Sequence, residues 1–368
     1  MHVFPLLRAC AAVFGLATLA FALAAAPLRA MPADAPDPPG TFRYIGADAN
    51  AARDQAPDPS VPEAFEKRDT SALTDDRSVS VPTSWWAYTG ITASSVSSFL
   101  NANGARLTDI EIHSIVSGQP RFTLRMVRNS GVYAVPGWWW YFGQTFSEIG
   151  QKLTANNARL IDLEPYDSGG GVIRYAAVMV SNTGGAARAW TYLSGVSSSQ
   201  ISAHLTTSGH RLIDLDTYFS GTTKLYSAVF VANTGADAKA WQWWLNQSAD
   251  GVAAKLAAFN GRLVDLERLP DGLYNVVMVK NTGADAAAWW WRLGFTSLSD
   301  LINFANQLAV RPVDIETYTI SGQRRYSAVF IDNANAATRR IRSVFAERFL
   351  DANNLPTRGI FEAYTLSH

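Results

Sequence analysis

Trp138-Trp139-Trp140-Tyr141-Phe142-Gly143, Thr145-Phe146-Ser147-Glu148, Arg159-Leu160-Ile161-Asp162-Leu163-Glu164, Arg174-Tyr175-Ala176-Ala177-Val178-Met179-Val180 and Asn182-Thr183-Gly184 form one phrase, and the chain repeats it five times. The lead tryptophans are Trp85, Trp138, Trp190, Trp241 and Trp289, and the arginines are Arg106, Arg159, Arg211, Arg262 and Arg311. The interval from Trp to Arg is 21 residues in four copies and 22 in the fifth. A period of about 50 residues marks a repeat architecture, in which each unit buries its apolar face against its neighbours.

Each stretch of the phrase names an element. The aromatic run is β-prone and stops at Gly143. Thr145 and Glu148 form a capping box, and Phe146, Ile149 and Leu153 follow at helical spacing. The Arg-x-x-Asp-x-(Glu/Asp) run is a second strand, and a Gly-rich hairpin leads to a third. The helix permits a parallel crossover, while the hairpin imposes antiparallel neighbours. The expected fold is an α+β repeat protein with five strand–helix–strand–strand units in a curved array, half-ring or propeller-like. The units are 85–137, 138–189, 190–240, 241–288 and 289–335, and a degenerate C-terminal repeat over 336–368 is expected to cap the stack.

The residues ahead of the repeats read differently. Arg8 precedes an apolar run from Ala9 to Ala26 with small residues at its end, the pattern of a signal peptide over 1–30. An uncleaved anchor is the alternative. The only cysteine, Cys10, falls within this leader, so the exported chain has no thiol for disulfides, metal or catalysis. Residues 31–84, rich in Pro, Ala and Asp, read as a disordered linker. Basic and acidic residues balance at 31 each, which offers nothing to nucleic acid. The expected location is secreted or periplasmic, with no transmembrane segment after signal removal.

Alternation divides the twelve tryptophans, all of which lie in the lead strands. The lead face is filled alike in every copy and reads as core. The opposite face varies, and Trp86, Trp139, Tyr141, Trp244, Trp290 and Arg292 are the candidate ligand contacts, with inter-unit packing as the competing reading. Asp109, Asp162, Asp214, Asp265 and Asp314 read as structural fasteners between units. On a regular strand Arg159 and Asp162 would face opposite ways, with Asp162 beside Leu160, Glu164 and Tyr166. Acid/base catalysis by the Asp–Glu pairs is disfavoured, since one active site does not need five copies. His113, His204 and His210 lack the i, i+4 pairing of a zinc helix, and no Ser-x-x-Lys or Gly-x-Ser-x-Gly occurs. No catalytic residue, metal site or cofactor is expected.

Taken together, Trp138 to Tyr141, Arg159 to Glu164, Arg174 to Val180 and Asn182 to Gly184 resemble the bacterial tandem repeat domain family, over 85–333 and more weakly to 368. Similar repeats form the N-terminal domain of secreted fungal polyglycine hydrolases. The resemblance implies a curved half-ring that, in those hydrolases, is attached to a β-lactamase-like domain carrying the catalytic Ser-x-x-Lys. That motif is missing here, so the architecture transfers and the peptidase activity does not. The expected function is an exported, non-catalytic scaffold binding an extracellular or envelope protein or polysaccharide, of open oligomeric state. The alternative is an accessory recognition module, or component, of a polyglycine-hydrolase-like secreted hydrolase.

Overall fold

The computed structural model describes residues 81–334. The expected signal peptide, nearly all of the expected linker and the expected C-terminal cap lie outside these residues. Five units follow one another. Unit one is β1 (Trp85–Ile91), α1 (Ala93–Asn103), β2 (Ala105–Val116) and β3 (Gln119–Arg128). Unit two is β4 (Trp138–Gln144), α2 (Phe146–Asn156), β5 (Ala158–Asp167) and β6 (Ile173–Ser181). Unit three is β7 (Trp190–Val196), α3 (Ser198–Ser208), β8 (His210–Ser220) and β9 (Thr223–Ala232). Unit four is β10 (Trp241–Gln247), α4 (Ala249–Phe259), β11 (Gly261–Arg268) and β12 (Tyr274–Lys280). Unit five is β13 (Trp289–Phe295), α5 (Leu298–Gln307), β14 (Val310–Ile320) and β15 (Gln323–Asp332).

Every unit makes its own three-stranded sheet with its third strand in the middle, antiparallel to both neighbours. The helices start on the side chains read from sequence. Thr92, Thr145, Ser197, Ser248 and Ser297 each accept from a backbone N–H one turn on, and Thr145–Glu148 and Ser197–Gln200 complete capping boxes. Gly143 does not end its strand. It takes φ 68° at a bulge, its N–H donates to the Tyr166 hydroxyl, and β4 continues to Gln144. In unit four Asn246 stands at the same bulge with φ 55°, a left-handed conformation that asparagine tolerates.

A second bulge corrects the strand parity expected for the Arg/Asp pair. Leu160 pairs with Met179 but Asp162 with Val178, so Ile161 is an extra residue, and the same shift recurs in all five copies. Arg159 opposes Val180 and Glu164 opposes Ala176, so Arg159, Asp162, Glu164 and Tyr166 share one face, while Leu160 lies on the other.

Both faces of each sheet are buried. Tyr141, Leu160, Leu163, Ala177 and Met179 pack under α2, together with Ile213, Val229 and Val231 from unit three. Trp140, Ile161, Val178 and Val180 face the other way, onto the core beneath α1. Each helix is thus held between its own sheet and the next one.

The series returns to its start. Trp85, Ala87, Val127 and Tyr133 of unit one share a core with Phe295, Leu298, Leu301 and Phe330 of unit five. The repeated turn asparagine shows how the seam is fastened. Asn182, Asn233 and Asn281 each accept from and donate to the backbone six residues on, at Arg188, Lys239 and Ala287. Asn333 makes the same two bonds to Thr83, at 2.9 and 3.0 Å. Thr83 and Ser84, placed by sequence in the linker, are therefore buried parts of a closed ring.

Closure makes Asn333→Ala as damaging as Asn281→Ala. Each should lower stability by about 1–3 kcal/mol, since two hydrogen bonds and a buried backbone pair are lost. Thermal unfolding of the two variants checks this; a silent Asn333→Ala would mean an open seam.

Candidate functional site: the axial carboxylates and the hairpin rim

The second strand of each unit is an edge strand, and every other backbone N–H along its free edge needs an acceptor. The Asp-x-Glu spacing supplies acceptors at that period of two. Asp162 Oδ2 accepts from the Ile110 N–H at 3.0 Å and Glu164 Oε1 from the Ile112 N–H at 3.3 Å. Asp214 accepts from Leu163, and Asp314 from Leu266. Asp109 accepts from Ile315, across the seam. Glu267 accepts from the Thr217 N–H and hydroxyl and from Asn275 Nδ2, and Glu316 from the Arg268 N–H. Asp265, the fifth of the series, is likewise buried.

Asp216 has no such donor, because Pro165 stands where Ile112 and Thr217 stand in other units. Its shorter side chain is hydrogen-bonded to Glu164 instead. Carboxylate oxygens of Glu111, Glu164 and Asp216 lie within 4.8 Å of one another. The five second acids thus converge from five units on the axis of the ring. Burial, above all, lifts Glu164 to about 8, partly offset by the Ile112 N–H and by Asp216. Burial lifts Glu267 to about 7 against its bonds from Thr217 and Asn275. Glu111, Asp216 and Glu316 are held well above the ordinary carboxylic range by burial and then by neighbouring acids. Chemically, the cluster holds protons near neutrality and repels itself when they leave. Glu111, Glu164 and Asp216 have oxygens spaced as a hard dication would take them.

The repeated Trp and Arg residues pack between units. Trp85 and Trp289 are fully buried, and Trp138, Trp190 and Trp241 lie against the core of the preceding unit. Arg106, Arg159, Arg211, Arg262 and Arg311 are all buried. Arg106 Nε donates to the Tyr133 carbonyl, and the Arg311 guanidinium lies 5.2 Å from the Tyr133 ring.

Of the side chains read as ligand-facing, Trp86 and Tyr141 are core residues, 1% and 5% exposed, covered by their own helices. Trp139, Trp244 and Trp290 are partly buried at the margins of three different cores. Trp244 lies under the Lys255 ammonium at 3.7 Å, and Arg292 covers Phe295 and Phe304. The structure does not gather these six residues into one surface. Alternation separated the faces correctly, but the outward face is the one onto which each helix folds.

What sequence reading passed over is the rim. Among the described residues the exposed large apolar side chains are Ile115, Val116, Val172, Phe219 and Ile320, plus Phe146. All but Phe146 lie at or beside the hairpins joining the second and third strands. The bonds between neighbouring edge strands keep those strands in one direction, so the hairpins project from one end of the ring. Arg121, Arg174, Lys224, Arg324 and Arg325 follow on the returning strands. The available signal was an apolar residue placed before Ser-Gly, as in Val116-Ser117-Gly118 and Ile320-Ser321-Gly322.

The raised carboxyl groups set a direction for stability. Their folded values lie above the ordinary unfolded value of about 4, so the folded state keeps protons that the unfolded chain releases. Their contribution is complete below about pH 4 and is lost as pH rises through 7 and 8. Chemical unfolding at pH 5 and pH 9 should show the ring weaker at pH 9, and Glu164→Gln should flatten that difference. An equal difference in parent and variant would contradict it.

Residues 135–182 and 311–333 match the family model described as polyglycine hydrolase-like, structural repeat. These are unit two with the turn before it, and the last two strands of unit five. No curated protein matches the chain. Among the described residues no helix is long and apolar enough to cross a membrane.

Proposed function

We propose, because two stretches of its repeats match the polyglycine hydrolase-like structural repeat, that this chain is an exported, non-catalytic scaffold that uses the hairpin end of its ring to bind an extracellular or envelope macromolecule. The observation that carries the reading is the concentration of exposed apolar side chains on those hairpins, Val116, Val172, Phe219 and Ile320 among them. A patch of this kind, with arginine and lysine beside it, suits a partner bearing apolar and acidic groups. Of the two partner classes expected, a protein suits it better than a polysaccharide. Sugars stack on flat aromatic faces, and the indoles of this chain are largely taken up by the cores between units. Export rests on the leader pattern of residues 1–30.

A second reading follows from the family description: the ring serves as a recognition module for a hydrolase acting on Gly-rich substrates. One experiment separates the two. The mature chain is immobilised and titrated with envelope protein fractions, peptidoglycan, soluble glycans and Gly-rich peptides. Replacing Val116, Val172, Phe219 and Ile320 together by serine should weaken protein binding at least tenfold and leave the melting temperature unchanged. Binding confined to Gly-rich peptides would favour the second reading. Binding unaffected by the four substitutions would remove the rim from consideration.

A further inference from the structure

We propose that His204 and His210 form a binding site for a divalent transition-metal ion at the corner between α3 and β8. His204 Nε2 and His210 Nδ1 are 3.2 Å apart. Two imidazole nitrogens bound to one ion at ordinary Zn–N lengths lie about 2.9–3.4 Å apart, depending on the angle between them. The observed spacing therefore already suits two ligands of one metal.

The chain brings the pair together by a specific device. His204 lies in the last two turns of α3, and Gly209 ends that helix at φ 66°, a left-handed conformation that reverses the backbone. His210, the first residue of β8, is thereby returned over the helix, with its N–H donating to Ser208 Oγ. The His204 ring packs on Phe230 at 4.6 Å between centroids, which limits its rotation. Both histidines are only partly buried, so an ion can enter from solvent without disturbing a core.

In the empty pair one imidazole donates its N–H to the other, so each nitrogen is satisfied by its neighbour. Binding replaces that shared proton with the ion: one ring changes tautomer, both bonding nitrogens present lone pairs, and the remaining N–H groups point away. Among the described residues no further His, Asp or Glu closes on the pair to complete a set of three. The ion would keep open positions for water or for a donor from a bound partner. Two nitrogen donors select copper(II), nickel(II) or zinc over calcium or magnesium. The site is separate from the axial acids and independent of the rim.

The test is titration of the mature chain with copper(II), followed by electron paramagnetic resonance, on the parent and on a His204→Gln/His210→Gln double variant. The expected result is one ion per chain with hyperfine coupling from two imidazole nitrogens, and at least tenfold weaker binding in the double variant. Calcium in excess should not displace it. Absence of a stoichiometric ion in the parent, or an unchanged spectrum in the double variant, would overturn the proposal. Should the double variant misfold, the parent alone suffices: zinc should shield both histidines from carbethoxylation, and a pair modified equally fast with and without zinc would overturn it.

Discussion

A carboxylate of one unit accepting from the edge-strand N–H of the unit before it is the interaction on which the ring depends. A three-stranded sheet with two apolar faces cannot persist alone, and its inner edge exposes backbone donors at every second residue. Adding strands would satisfy those donors but would also flatten five sheets into one. The Asp-x-Glu pair instead caps the edge and stops the ladder, as Asp162 and Glu164 do at Ile110 and Ile112. Neighbouring sheets can then tilt about the axis while the helices fill the wedges between them. The repeated Asp is thus an acceptor for backbone donors of the unit before it, spaced by the pleat of a strand.

Two departures from repetition show how local chemistry is adjusted without changing the plan. Pro165 removes a donor from unit two, and Asp216 in unit three answers by hydrogen-bonding to Glu164, a pairing that works only while one carboxyl keeps its proton. At the seam, the cross-strand pair Trp140–Val178 of unit two is replaced in unit one by Ala87–Arg125. The volume given up by the indole goes to a buried guanidinium. Arg125 Nη2 donates to the Val313 carbonyl of unit five at 2.7 Å and to the Thr108 carbonyl, with Nε 4.0 Å from Asp109. The units share one fold, yet the joint between last and first has its own polar contact.

Much of this was legible in the sequence because it is written locally. Caps, turns and strand order depend on residues within one unit, so five copies of Thr/Ser caps and Asn turns identify them. The bulge at Ile161 was not legible, since an extra residue in one strand is visible only against its partner. That single residue reverses the parity of everything after it and brings Arg159 and Asp162 to the same side. The reading of Trp86 and Tyr141 failed for a related reason: alternation says which residues share a face, but not what the helix will cover. Closure depends on the angle between successive sheets, which no single unit encodes.

Closure also changes what the ends of the repeat region require. In an open stack the terminal units expose apolar faces and need a polar cap, which is why residues 336–368 read as one. In the ring the face of unit one that holds Trp85 and Val127 is covered by Phe295, Leu301 and Phe330 of unit five. Asn333 grips Thr83 as other asparagines grip the next turn in the chain. No apolar end is left among the described residues. The junction between last and first units is the one place where the repeated contacts are not reinforced by a peptide linkage. Its extra bonds, from Arg125 to Val313 and from Arg324 to the His113 carbonyl, lie where a covalent link is missing. They offset the entropic cost of joining the two ends of a long segment, a cost that junctions linked by the chain do not bear.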